Sequence, residues 1–242
     1  ELPADQPFYG LQSRGLDGMS APLKSIPAMA AEYLTEVRQL QPKGPYYLGG
    51  RSFGGAVAYE MARQLIEQGE TVGLLAMLDA YPLGWLKACS AADAQRYEQQ
   101  FFKLRVARHR ENLSRLNWRG KWQYITHKAQ FKKRKYKHWF WLLGLSGRYG
   151  LRNAIRNVEE WNYRAAKEYV PGHYPGRVTF FGASEEVSLE ETITGWQTLA
   201  LGGVEVVRVP GDHQTMLHAP HLEELAAQLQ NCLAQAQAEV SL

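Results

Sequence analysis

Cysteine is almost missing from this chain: Cys89 and Cys232 are the two among 242 residues. That excludes a disulfide framework or a cysteine metal cluster and suits a reducing compartment. No stretch approaches the roughly eighteen apolar residues of a membrane span, and no basic-then-apolar leader opens the chain. The expectation is a cytoplasmic protein with no membrane partner. Internal repeats and low-complexity tracts are absent too, which leaves a globular core, alone or with a smaller appended unit. Acidic residues are scarce in one region. Between Lys103 and Lys137 stand thirteen Lys or Arg and one acid, Glu111, although the whole chain carries a net charge of only +4. Such a run reads as a solvated helical face, a nucleic-acid surface or a surface for an acidic protein. No nucleic-acid recognition motif accompanies it, so no nucleic-acid partner is expected.

What is present is a rhythm. Hydrophobic residues make up 45% of the chain, and strand-like and helix-like segments alternate through its first 80 residues. Phe8 to Gln12 reads as a short strand ending at the turn Arg14-Gly15-Leu16-Asp17-Gly18. Ile26, Met29, Tyr33, Leu34, Val37 and Leu40 keep helical spacing until Pro42. Tyr46-Tyr47-Leu48-Gly49 reads as a strand, and Val57, Ala58, Met61, Ala62, Leu65 and Ile66 as the buried face of a helix closed by Gly69. Val72 to Leu78 is a near-continuous apolar run, the pattern of a strand covered on both faces.

From about Leu83 to Val170 the rhythm stops. This stretch is basic, aromatic and helix-like, and holds six of the seven tryptophans. Alternation then resumes with the strand Arg177–Phe181, a helix-like stretch around Leu189 to Leu201, the strand Val204–Val209, and a last helix bearing Leu222, Leu225, Ala226, Leu229, Cys232 and Leu233. The expected architecture is α/β: a mostly parallel sheet flanked by helices, built from residues 1–82 and 171–242, with 83–170 a long helical insertion.

Gly50-Arg51-Ser52-Phe53-Gly54 sits between strand and helix. A serine on that tight turn holds its hydroxyl above the sheet at the positive end of a helix, and Gly50 and Gly54 leave room for the strained backbone. The plainer reading is a helix cap. A serine hydroxyl needs a base to take its proton and a carboxylate to orient that base. In α/β-hydrolases these partners follow later strands in the order Ser, acid, His. Asp79 directly follows Val72–Leu78, and His213 lies just past Val209 in Gly211-Asp212-His213-Gln214. Each taken alone has an ordinary reading, as a turn former or a surface histidine; together they predict a triad. Glu185 and Glu186 are reserve acids, His173, His218 and His221 reserve bases, and Asp212 a turn former.

The segment Gly49-Gly50-Arg51-Ser52-Phe53-Gly54-Gly55-Ala56-Val57-Ala58-Tyr59-Glu60-Met61-Ala62 resembles the nucleophile segment of thioesterase domains that end modular polyketide synthases and nonribosomal peptide synthetases. Phe8-Tyr9-Gly10-Leu11-Gln12 with its following turn, Tyr174-Pro175-Gly176-Arg177-Val178, and Val209-Pro210-Gly211-Asp212-His213 resemble other landmarks of that family. The resemblance implies an α/β-hydrolase with a lid, with Ser52 as nucleophile, Asp79 as acid, His213 as base and the backbone N–H of Phe53 as an oxyanion donor. It also implies a substrate: an acyl chain on the phosphopantetheine arm of an acyl or peptidyl carrier domain, in the same polypeptide. No cofactor or metal bound by the domain itself is implied, and a dimer is left open.

Two features depart from the family pattern. Arg51 stands where histidine is usual, and the upstream strand with its His-Pro-x-Gly-Gly oxyanion loop has no counterpart, so the sequence reads as an excerpt of a longer chain. Release by hydrolysis leads; macrocyclisation by a hydroxyl or amine of the same acyl chain, a discrete editing thioesterase and a non-catalytic carrier-docking module are the alternatives. The insertion is expected to roof the site, with Trp118, Trp122, Trp139, Phe140, Trp141 and Trp161 as channel candidates. Lys132-Lys133-Arg134-Lys135, with Arg105, Arg108 and Arg110, is expected to meet the carrier.

Overall fold

The computed structural model describes residues 6–114, 151–186 and 188–240, together with Pro3 and Trp118. Within them, β1 (Tyr46–Arg51), β2 (Val72–Leu78), β3 (Val178–Ala183) and β4 (Val204–Val209) pair in that order as one parallel sheet. Parallel neighbours need crossover connections, and helices supply them. Helix α1 (Ile26–Leu40) precedes β1, α2 (Phe53–Glu67) links β1 to β2, and the β2–β3 connection carries α3 (Trp85–Ala88), α4 (Ala91–Ser114) and α5 (Leu151–Glu168). Helix α6 (Leu189–Leu199) links β3 to β4, and α7 (His221–Val240) closes the described chain.

The apolar run of β2 is explained by its neighbours. Leu75 and Met77 face Tyr59, Trp85 and Trp196, whereas Leu74 and Ala76 face Leu225 and Cys232 of α7. Both faces are dry, so alternation has no reason to appear in the sequence. Fully burying an apolar side chain of this size contributes roughly 1.5–3 kcal/mol. Trp196 also satisfies its indole N–H, which donates to the Ala80 carbonyl at 2.8 Å. This contact anchors α6 to the segment directly after Asp79. Helix α1 begins as its sequence predicts, with Ser25 Oγ accepting from the Ala28 N–H and Pro27 in the first turn.

The stretch 83–170 leaves and re-enters the core at one place. Gly84 has φ +75°, and a Cβ there would lie 2.2 Å from the Tyr169 carbonyl oxygen. Lys87 Nζ donates to the carbonyls of Lys167 and Tyr169, tying the exit to the entrance. Trp85 is 1% exposed and packs with Tyr97 and Phe101 in the cluster that holds Met77 and Phe180. Of the aromatic channel candidates, Trp118 is exposed, and Trp161 is held between Lys24 and Arg164 at 5.2 and 5.1 Å from its ring. Trp122, Trp139, Phe140, Trp141 and the basic run Lys132–Lys135 lie outside the described residues. Arg105, Arg108 and Arg110 fall on α4.

Phe8 to Gln12 does not form the expected strand. The segment has no ladder partner among the described residues, and Phe8 and Tyr9 are 75% and 70% exposed. A strand needs both a hydrogen-bonded neighbour and a buried face, and this stretch has neither.

Candidate active site

Parallel pairing brings the carboxyl ends of all four strands to one edge, which is where α/β sheets build their sites. Arg51 pairs with Leu78, Leu78 with Phe181, and Ala183 with Val209. Ser52, Asp79 and the His213 loop therefore emerge side by side. The ladder runs one step further, since the Asp79 N–H donates to the Phe181 carbonyl at 2.8 Å and the Ser52 N–H to the Leu78 carbonyl at 3.4 Å.

Among the described residues, two non-glycine residues have positive φ: Ser52 (52°) and Asp79 (44°). For side-chain-bearing residues this conformation is uncommon and costs on the order of 1–3 kcal/mol, so the surroundings must hold it. At Ser52 the support is close packing of turn against strand. A Cβ on Gly50 would come within 2.3 Å of the Gly54 carbonyl, and one on Gly55 within 2.2 Å of Ala80 Cβ. Gly54 differs from expectation, because a Cβ there meets nothing within 4 Å. The second glycine that the turn requires is Gly55, which lets α2 lie against the strand end at Ala80. Although Ser52 occupies the cap position of α2, its hydroxyl makes no capping bond, so helix capping does not account for the serine. The residue is exposed, and the Phe53 N–H behind it lies in the first helical turn, where no intrahelical acceptor exists.

Asp79 and His213 meet. Asp79 Oδ2 lies 2.6 Å from His213 Nδ1, and Asp79 Oδ1 accepts from the Ala183 N–H at 3.2 Å. A carboxylate accepts, so Nδ1–H donates and Nε2 is left as the basic nitrogen. The acid side chain is 6% exposed and the imidazole 38%, which places a buried orienting group behind a base that solvent and ligands can reach. Asp212 shapes the loop as a turn former: its Oδ1 accepts from the N–H groups of Gln214 and Thr215 and from the Thr215 hydroxyl. Those backbone bonds, Thr215 first, hold its carboxyl below the usual aspartate range.

Two of the reserve residues border the base loop: the Glu185 N–H donates to the Gly211 carbonyl at 3.0 Å, and the His221 ring lies against Gly211. Glu185 is exposed in the turn after β3, and Glu186 accepts from Ser188 Oγ. His173 precedes β3, at the opposite end of the sheet, while His218 and His221 lead into α7.

Three contacts were not foreseen. The Arg51 guanidinium donates to the His213 carbonyl, and the Ala183 N–H holds Asp79. Further along α2, buried Glu60 accepts from Arg63 Nε and Nη2, Gln64 Nε2 and the Tyr169 hydroxyl. Burial alone would push the Glu60 carboxyl up; bonds from Arg63, Gln64 and Tyr169 outweigh it and leave the group below the usual glutamate range. The Tyr169 hydroxyl is pushed far up, by burial first and then by the Glu60 charge. One sequence signal was available for this cluster, the Glu60/Arg63 pair at i,i+3 on an otherwise apolar helix face.

Among the described residues no group of His, Cys, Asp or Glu is arranged to hold a metal ion, and no helix is long and apolar enough to cross a membrane. The family model for the thioesterase domain matches residues 1–233. A dimodular nonribosomal peptide synthase of Bacillus subtilis (strain 168) is 51% identical over 89 residues, which is 37% of this chain and 4% of that protein. The chondramide synthase cmdD of Chondromyces crocatus is 26% identical over 94% of this chain and 6% of its own length. The chain thus spans a small fraction of the curated relatives it matches. Among solved structures, a four-domain holo nonribosomal peptide synthetase bound to AMP and glycine superposes with a TM-score of 0.61 at 25% identity, over 91% of this chain and 17% of that one. The NocB thioesterase domain, in covalent complex with a fluorophosphonate nocardicin G analogue, superposes with a TM-score of 0.53 at 25% identity, over 87% of this chain and 76% of that one. A parallel sheet with strained turns at its carboxyl edge, matched over nearly all its length by one family model, leaves one assignment: the chain belongs to the thioesterase domain family and has the α/β-hydrolase fold.

Proposed function

We propose that this domain releases a polyketide or peptide-polyketide chain from the phosphopantetheine arm of a carrier domain, through an acyl-enzyme on Ser52 that water then hydrolyses. The carrying observation is that a strained, uncapped serine and a histidine held at Nδ1 by a buried aspartate stand at the same edge of the sheet. His213 Nε2 takes the Ser52 proton as Oγ attacks the thioester carbon. The resulting oxyanion is met by the Phe53 N–H at the positive end of α2. Collapse breaks the carbon–sulfur bond, and the proton on His213 passes to the departing thiol. In the second half His213 deprotonates water, which attacks the acyl carbon, and the proton returns to Ser52 Oγ as the acid leaves. The segment 83–170 is assigned as the lid that excludes bulk water. Its helices α4 and α5 and its attachment directly after Asp79 support that reading.

A serine-reactive fluorophosphonate should label one site, and Ser52→Ala should abolish the labelling in a folded protein. Labelling that persists in Ser52→Ala would overturn the assignment. With an acyl-carrier substrate the released product should be the linear acid; a cyclic product would replace water with a nucleophile of the chain itself.

A further inference from the structure

We infer that Arg51 is a positioning residue that fixes the base relative to the nucleophile. This inference rests on the triad reading above. His213 is held at three points. Asp212 closes the turn beside it, Asp79 takes its ring Nδ1, and the Arg51 guanidinium takes its main-chain carbonyl. The first two fix the loop's shape and the ring's direction, and Asp79 refers the ring to the serine only through the neighbouring strand, by the Ser52 N–H to Leu78 carbonyl bond. Arg51 ties the main chain of the loop to the serine directly, because it is the last residue of β1 and is bonded covalently to Ser52. One side chain therefore ties the nucleophile turn to the base loop across 162 residues of sequence.

The local chemistry argues that this contact is what Arg51 contributes. A guanidinium bond to a carbonyl is charge-assisted and therefore short and directional, as a brace requires. The loop's main chain is tied to the turn after β3 by the Glu185 N–H to Gly211 carbonyl bond at 3.0 Å, and the Arg51 bond adds an anchor at His213 itself. Misplacing a catalytic group by about 1 Å can cost about a hundredfold in rate.

The test is the second-order rate of fluorophosphonate labelling at Ser52, with thermal unfolding followed in parallel. Arg51→Met keeps length and loses the donor; Arg51→Lys keeps a cationic donor. We expect labelling of Arg51→Met to slow about ten- to a hundredfold with the unfolding midpoint close to that of the parent, and Arg51→Lys to recover part of the loss. For the acyl-thioester reaction the loss should fall on kcat, with KM little changed. Labelling of Arg51→Met within about twofold of the parent would overturn the inference, as would a slowing that tracks loss of folded protein equally in both variants. Because the parent and Ser52→Ala are labelled alongside, failure of the serine assignment shows separately as labelling that survives without Ser52.

Discussion

Asp79 and Glu60 are both buried acids, and their surroundings set them to different tasks. Glu60 lies inside α2 and accepts from four donors on Arg63, Gln64 and Tyr169, none of which gives up its proton near neutral pH. Asp79 lies at a strained turn, accepts from one backbone N–H, and spends its other oxygen on an imidazole more than a third exposed. Histidine is the side chain whose ordinary titration falls near physiological pH. A saturated acid surrounded by fixed donors holds structure together; an acid that orients an accessible ring, whose other nitrogen stays free, can take part in chemistry. Burial alone does not separate the two, whereas the identity of the partners does.

The comparison breaks most directly at Asp79. Asp79→Asn should lower kcat/KM by about a thousandfold or more, while Glu185→Gln and Glu186→Gln stay near the parent. Full activity in Asp79→Asn, with loss in either glutamate variant, would transfer the orienting role to the turn after β3.

Glu60→Gln should have the opposite profile. Removing the charge leaves Arg63 and Tyr169 with poorer partners at a buried site, which should cost about 1–3 kcal/mol in urea unfolding. The folded fraction should keep its kcat. The pH dependence has a definite sign. A carboxyl held below its ordinary value of 4.5 when folded stabilises the fold above that pH, and the contribution is lost as pH falls beneath it. Acid unfolding of Glu60→Gln should therefore be flatter below pH 4.5 than that of the parent. A folded Glu60→Gln without activity would erase the distinction between the two acids.

The smallest effect is expected from charges outside both clusters. Reversing Lys132, Lys133, Arg134 and Lys135 to glutamate should slow unloading of an acyl-carrier substrate severalfold at low salt. Hydrolysis of a small acyl-thioester should hardly change, since steering between exposed charges acts through association rate and is screened over about 8 Å at physiological ionic strength. Equal slowing of both substrates would point to a damaged lid instead.

Much of this was legible in the sequence, for reasons that are local. Helix α1 shows its apolar period and its Ser25-Ile26-Pro27 start; β2 shows an unbroken apolar run because both its faces are covered. Ser52, Asp79 and His213 could be named because each directly follows, or lies a few residues past, a strand that the pattern reveals, and parallel pairing then gathers those ends. What stayed hidden depends on distant partners. No periodicity announces that Arg51 will reach a carbonyl 162 residues away, or Glu60 a hydroxyl 109 residues away. Phe8 to Gln12 misled because apolar aromatics beside a turn look like a strand whether or not a neighbour exists to pair with them. Gly54 misled for a related reason: a glycine in a tight motif need not be the one that bears the close contact.

The meeting of Gly84 with Tyr169 has a consequence for how such a domain diversifies. A chain excursion whose two feet stand together is, to the rest of the molecule, a closed loop, and the entropy of closing it grows only with the logarithm of its length. Doubling it adds about 0.6 kcal/mol. The register of β2 on β3 is set by Ala76, Met77 and Leu78 against Thr179, Phe180 and Phe181, and these residues lie below the clasp. What stands above can lengthen or shorten while the sheet edge that holds Ser52 and Asp79 keeps its spacing, so the excursion is free to vary on a core that does not have to be rebuilt.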